Sequence, residues 1–187
     1  MGTVVFDLET NGLLHDATRI HCLALHWGEM DITESFNDEK YVEKPDAYIK
    51  EDCPMASGHS ITTGLSWLET ADYLVGHNII GFDLPIIKAI YPWFNPRGII
   101  MDTLLLSRLY HPNLLDIDKA RNWRHMPLQL YGRHSLEAYG YRLGEYKGNF
   151  SKTTDWKDWS QEMEDYCKQD VAVTTKLCNH FQKYLTG

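Results

Sequence analysis

Asp7 and Glu9 in "TVVFDLET" (residues 3–10), Asp83 in "GHNIIGFD" (76–83) and Tyr166 with Asp170 in "YCKQD" (166–170) are the side chains whose types and spacing could do chemistry. Each acid stands where an apolar run stops or turns. Side chains alternate across a strand, so two acids at i and i+2 face the same way, with their Cα atoms roughly 6.6 Å apart. In a helix, residues four apart are stacked neighbours, so a phenol at 166 and a carboxylate at 170 project from one face. Asp83 precedes a Pro85 suited to the first turn of a helix, which puts it at or near an N-cap.

Each signal is common when taken alone. Composition yields roughly one Asp-x-Glu by chance in a chain this acidic, and capping is a sufficient reason for an Asp at position 83. The combination says more, because strand, strand-to-helix junction and late helix each offer a carboxylate. Four carboxylates brought together repel unless a counter-charge is present. Mg²⁺ or Mn²⁺ supplies it, since hard cations take oxygen ligands, several waters and substrate phosphate. Two such ions, roughly 4 Å apart, can activate a water on one side of a phosphorus and stabilise the leaving oxygen on the other. The implied chemistry is phosphodiester hydrolysis.

The elements that must position these groups follow from pattern. After "TVVFDLE", a polar turn with Asn11-Gly12 leads to "RIHCLALHW" and "MDITESF", two strand-like runs joined by Gly28-Glu29 at tight-hairpin spacing. The acidic stretch from Glu39 to Ser60, with Pro45 and Pro54, reads mostly as loop. "TTGLSWLETA" reads as helix, "YLVGHN" as strand, "DLPIIKAIY" as helix, "GIIMD" as strand and "TLLLSRLYH" as helix. Residues 111–133 read as a long basic connection. A short helix "SLEAYG" follows, capped by Ser135 and ended by Gly140, and one long helix closes the chain. This order predicts an α/β fold: a mixed sheet, three antiparallel strands followed by parallel ones, flanked by helices in a single domain over residues 1–187.

Composition narrows the function classes. The 187 residues, 43% hydrophobic, suffice for one substantial core. No apolar run reaches the roughly 18 residues of a membrane span, and no basic-then-apolar leader opens the chain, so a cytoplasmic protein is expected. Cys22, Cys53, Cys167 and Cys178 show neither zinc-site nor disulfide-framework spacing and read as buried thiols. The net charge of −8 lies entirely in residues 1–60, which hold 12 acids against 4 Lys/Arg. Residues 119–147 carry six basic side chains against two acids, interleaved with Trp123, Tyr131, Tyr139, Tyr141 and Tyr146. Such a stretch could track a nucleic-acid strand by charge and stacking, or be a solvated surface loop.

With "FDLET", "GHNIIGFD" and "YCKQD" in order, the chain resembles the DEDD superfamily of 3′→5′ exonucleases, whose fold is ribonuclease H-like. Tyr166, four residues before the last Asp, matches the tyrosine subgroup. "DTLLLSRLYHPNL" (102–114) and "HSLEAYGYRLGEYKG" (134–148) extend the likeness to the proofreading domain of family A DNA polymerases of short-tailed phages. The resemblance implies that Asp7 bridges both ions, that Glu9 and Asp170 hold the ion that activates the nucleophile, and that Asp83 acts on the second. Tyr166 would orient the attacking water, because a phenol, with an ordinary pKa of about 10, is a poor base at neutral pH.

The substrate implied is the single-stranded or frayed 3′ end of DNA, with release of nucleoside 5′-monophosphates in a phage-infected host's cytoplasm. Thr10, Asn78, Arg121, Arg124 and Lys147 are the candidate substrate contacts. The related domains continue into a polymerase and this chain does not, so the expectation is a free-standing exonuclease, one beside a separate DNA polymerase, or an excised domain. An RNA exonuclease, or a nucleic-acid or polymerase-binding module without turnover, are the alternatives. His77 is expected to shape its turn rather than bind metal, and Asp102 to cap a helix.

Overall fold

In the computed structural model, residues 2–39, 59–145 and 156–185 are described. Cys53, Tyr146, Lys147 and most of the expected acidic loop lie outside them. Three strands open the fold: β1 (Thr3–Thr10), β2 (Ile20–Trp27) and β3 (Ile32–Phe36). They pair antiparallel, with Asp7 opposite Ala24 and Glu9 opposite Cys22. Helix α1 (Ile61–Thr70) leads to β4 (Tyr73–Gly76), and α2 (Asp83–Ile90) to β5 (Ile99–Asp102). The sheet order is β3-β2-β1-β4-β5, with β4 parallel to β1 and β5 parallel to β4. This is the mixed α/β sheet that the sequence predicts. No described helix is long and apolar enough to cross a membrane.

Alternation along β1 assigns its two faces. Val4, Phe6 and Leu8 enter a core with Leu65 and Leu68 of α1 and Ile86 and Ile87 of α2. Val5 enters a second core with Cys22, Ala24 and Val75, covered by Met163, Cys167 and Val171. Those three residues recur every four positions along the last helix, the spacing that makes one apolar stripe. Asp7 and Glu9 have the parity of Val5, so they face that helix. The β1–β4 pairing runs only from Thr3↔Tyr73 to Val5↔Val75, so the acids project past the end of the neighbouring strand.

Helix α3 (Thr103–Tyr110) follows β5 directly, and the chain then departs from the expected long loop. Residues 111–133 contain helix α4 (Leu114–Arg121), ended by Asn122 in the left-handed region at φ 47°, and a single 3-10 turn at Leu128–Leu130. Helix α4 has no continuous apolar stripe; Leu114 anchors its start in a core with Leu136, Val173, Leu177 and Phe181, and a buried acid, Asp118, holds its last turns. Asp118 accepts from Arg142 Nε (2.9 Å) and Nη2 (2.6 Å), Trp123 Nε1 (2.9 Å) and the Gly132 N–H (2.8 Å). Arg142 is thereby committed to the interior and does not belong to a basic surface.

Two boundaries also differ from expectation. The β2–β3 connection is four residues, Gly28 to Asp31, rather than the pair Gly28-Glu29. Asp31 at φ 53° turns the chain before Ile32 can pair with Trp27. Helix α5 (Leu136–Leu143) starts at its Ser135 cap but passes Gly140, which is buried within it. It stops at Gly144, φ 71°, where the Glu145 N–H returns to the Gly140 carbonyl at 2.8 Å. Helix α6 (Gln161–Leu185) ends the described chain. Its buried Glu164 accepts from Ser35 Oγ and Asn37 Nδ2, tying α6 to the end of β3.

Candidate active site

Asp7, Glu9, Asp83, Tyr166 and Asp170 line one cavity of about 220 Å³, together with Leu8, His77, Asn78, Phe82 and Trp156. Strand β1 contributes the first acids at its carboxyl end, the region where open α/β sheets gather ligand-binding groups. Helix α6 crosses that end and delivers Tyr166 and Asp170 one turn apart. Asp83 is the first residue of α2 and is buried, as is Asp170. The cap position is Phe82, whose side chain makes no cap bond. The backbone N–H groups of Asp83 itself and of Leu8 lie beside the Asp83 carboxyl and favour its charged form.

Burial pushes the Asp83 carboxyl up from 3.8 to about 7, with the charges of Asp102 and Asp170 adding to it, against the pull of the two N–H groups. Among the described residues, no lysine or arginine lines the cavity. Four carboxylates facing one space are a donor set suited to hard divalent cations, with oxygen as the ligand atom throughout. Ligand atoms of Asp7 and Glu9 lie within 4.8 Å of each other, close enough to share an ion, and the sulfur of Cys167 is within the same distance of both.

The remaining candidates separate. Asn78 lines the cavity at φ 64°, and its N–H donates to Asp102 Oδ1 at 2.9 Å. Asp102 also accepts from the Ile80 N–H (3.1 Å) and caps α3 through the Leu104 N–H (2.9 Å). His77 Nδ1 is 2.9 Å from the Thr103 hydroxyl, which donates to the Gly76 carbonyl, so His77 shapes the turn while lining the cavity. Thr10 is buried, and its hydroxyl donates to the Gly12 carbonyl at 2.7 Å, closing the turn after β1. Arg121 and Arg124 are exposed and line no part of the cavity; Arg121 lies over the Trp123 ring at 5.4 Å.

Trp156 is a cavity residue that none of the sequence motifs contains. Its ring meets Tyr166 edge-on, with centroids 6.3 Å apart, and its carbonyl is 3.0 Å from Nε2 of the buried His21 on β2. No local pattern links positions 21, 156 and 166.

Over 93% of its length the chain is 29% identical to the DNA-directed DNA polymerase of Escherichia phage T7 and 30% identical to that of Enterobacteria phage T3. It spans 26% of the length of either relative. Brucella melitensis NrnC with bound Mg²⁺ superposes on 98% of the chain and 73% of its own, with a TM-score of 0.58 at 19% identity. A zinc-bound complex of E. coli ExoI with ssDNA gives 0.50 over 98% of this chain and 41% of that one, at 18% identity. The chain shares its fold with these two nucleases. No protein-family profile matches it. The likeness to short-tailed-phage polymerases read from the motif-bearing segments therefore holds along nearly the whole chain.

Proposed function

We propose that the chain is a metal-dependent 3′→5′ exodeoxyribonuclease that removes nucleoside 5′-monophosphates from single-stranded or frayed DNA ends. The observation that carries this reading is the convergence of Asp7 and Glu9 from β1, Asp83 from α2, and Tyr166 and Asp170 from α6 on one cavity. The phage DNA polymerase relatives and the ssDNA complex of ExoI support DNA as the substrate class.

Asp7, Glu9, Asp83 and Asp170 would hold two Mg²⁺ or Mn²⁺ ions. Bound there, the ions supply activation of water and neutralisation of charge on the leaving oxygen. The protein's own part is positional. Tyr166 orients the attacking water by hydrogen bonding, and Trp156 fixes the phenol ring from the side. Water oxygen adds to phosphorus, the bond from phosphorus to the 3′ oxygen of the penultimate nucleotide breaks, and that oxygen leaves with a proton. Asp83 gives up its proton as the ions bind, since its pKa of about 7 lies within reach of neutral pH.

A 5′-labelled oligodeoxynucleotide with a free or phosphate-blocked 3′ end tests the reading. The expected result is stepwise shortening of the free end only, lost on chelation and in Asp7→Ala. Cleavage of circular DNA would place the protein among endonucleases, and faster decay of a matched RNA oligomer would move the substrate class to RNA.

A further inference from the structure

Cys167 stands directly behind Asp7. Its sulfur is 3.3 Å from the Asp7 carbonyl oxygen and 3.7 Å from Asp7 Oδ2, within reach of a thiol donor. It is fully buried among Val5, Cys22, Ala24, Val75, Met163 and Val171, the apolar floor beneath the acids. Helix α6 places it next to Tyr166 and three residues before Asp170, so it comes from the same turn that completes the cavity.

We infer that Cys167 is a positioning residue for the proposed metal site: its S–H, set against the Asp7 carbonyl and 3.7 Å from Asp7 Oδ2, steadies a carboxylate that would hold the ions. The inference rests on the two-ion reading of the site. A side chain there must satisfy two demands that conflict. It must pack against Val5, Val75 and Val171, which a strongly polar group resists, and it must offer a donor to an acid. A thiol does both, being a small apolar group with a weak donor. Cys22 comes from β2 at the position opposite Glu9, so the donor is backed by the strand that pairs with the acids.

Residues that orient metal ligands from behind change ion affinity by about 10- to 100-fold when removed. The test is Mn²⁺ binding to the full chain by calorimetry, with thermal unfolding of each metal-free variant as the control for folding. Cys167→Ala and the larger, apolar Cys167→Val are expected to bind Mn²⁺ at least about 10-fold more weakly than wild type, while Cys167→Ser, which restores a donor, stays close to it. If the alanine variant does not fold, the valine and serine variants carry the same comparison. Folded Ala and Val variants that bind as tightly as wild type would overturn the role of Cys167 and leave the metal site standing. A wild-type protein that takes up no divalent ion would overturn both.

Discussion

The Asp83 carboxyl lies against the backbone N–H of Leu8, the residue between Asp7 and Glu9, so the first turn of α2 meets β1 at the centre of the acid pair. The same burial that makes this contact possible lifts the Asp83 pKa to about 7. In the unfolded chain the group ionises near 3.8. Between those values the folded metal-free protein holds a proton that the unfolded chain has lost, so stability falls as pH rises through the window and stays low above it. At about 1.4 kcal/mol per pKa unit, the contribution is roughly 4 kcal/mol at most. Asp83→Asn is therefore expected to be more stable than wild type at pH 8 in chelator, to lose that advantage near pH 4, and to be the less stable protein once Mg²⁺ is added. Thermal unfolding across pH 4–8, with and without Mg²⁺, measures all three.

What the sequence revealed and what it hid divide along a physical line. The acids of β1 were legible because strand alternation is local: once Val4, Phe6 and Leu8 face one core, Asp7 and Glu9 face the other. Helix α6 was legible because Met163, Tyr166, Cys167 and Asp170 recur at the helical period. Helix α4 was hidden because it is held by long-range contacts: Leu114 packs against residues of the last two helices, and the partners of Asp118 lie at 123, 132 and 142. The basic count over 119–147 likewise treated Arg142 as a surface charge, and only the tertiary structure reveals its ion pair. Gly140 offered a plausible helix stop, yet it is buried and Gly144 takes the left-handed turn. Cys167 read as an inert thiol since its relation to Asp7 spans 160 positions.

Asp102 caps α3 and holds the Asn78 and Ile80 N–H groups, so one carboxylate sets the loop that leads to Asp83. Removing it leaves three backbone donors without their acceptor, two of them in the cavity loop. At about 1 kcal/mol or more per lost bond, Asp102→Ala is expected to destabilise by roughly 2–4 kcal/mol and to weaken Mg²⁺ binding although Asp102 does not line the cavity. Asp102→Asn keeps one acceptor oxygen and should fall between. Denaturant unfolding paired with Mg²⁺ titration checks both effects.

The basic residues of the α4 region are expected to fall into two classes. Arg142 is nearly buried against a fully buried Asp118, so Arg142→Ala strands a charge and should cost about 3–5 kcal/mol, the range for breaking a buried pair. Arg121 and Arg124 are exposed, and their replacement by alanine should leave unfolding nearly unchanged. If this surface carries the DNA strand, the double variant binds a single-stranded oligomer more weakly and with a shallower salt dependence, since each phosphate contact adds about 0.7 to the slope. Affinity measured at several salt concentrations decides it, and an unaltered slope would assign these arginines to solvent.

Tyr166 and Trp156 give a separable prediction for the reacting water. The phenol stands one helical turn from Asp170 and is braced edge-on by the indole, whose backbone is anchored to His21. Removing only the hydroxyl leaves the four carboxylates and the ring contact in place. Tyr166→Phe should therefore bind Mn²⁺ and a 3′ end as wild type does, yet cleave more slowly by about 100-fold, the lower range for losing a positioned proton-handling group. Trp156→Ala should slow cleavage less, because it frees the ring without deleting its hydroxyl, and the added Tyr166→Phe change should then cost less than it does in wild type. Single-turnover rates for the two single variants and the double variant measure that coupling, and strictly additive losses would show that the two rings act independently.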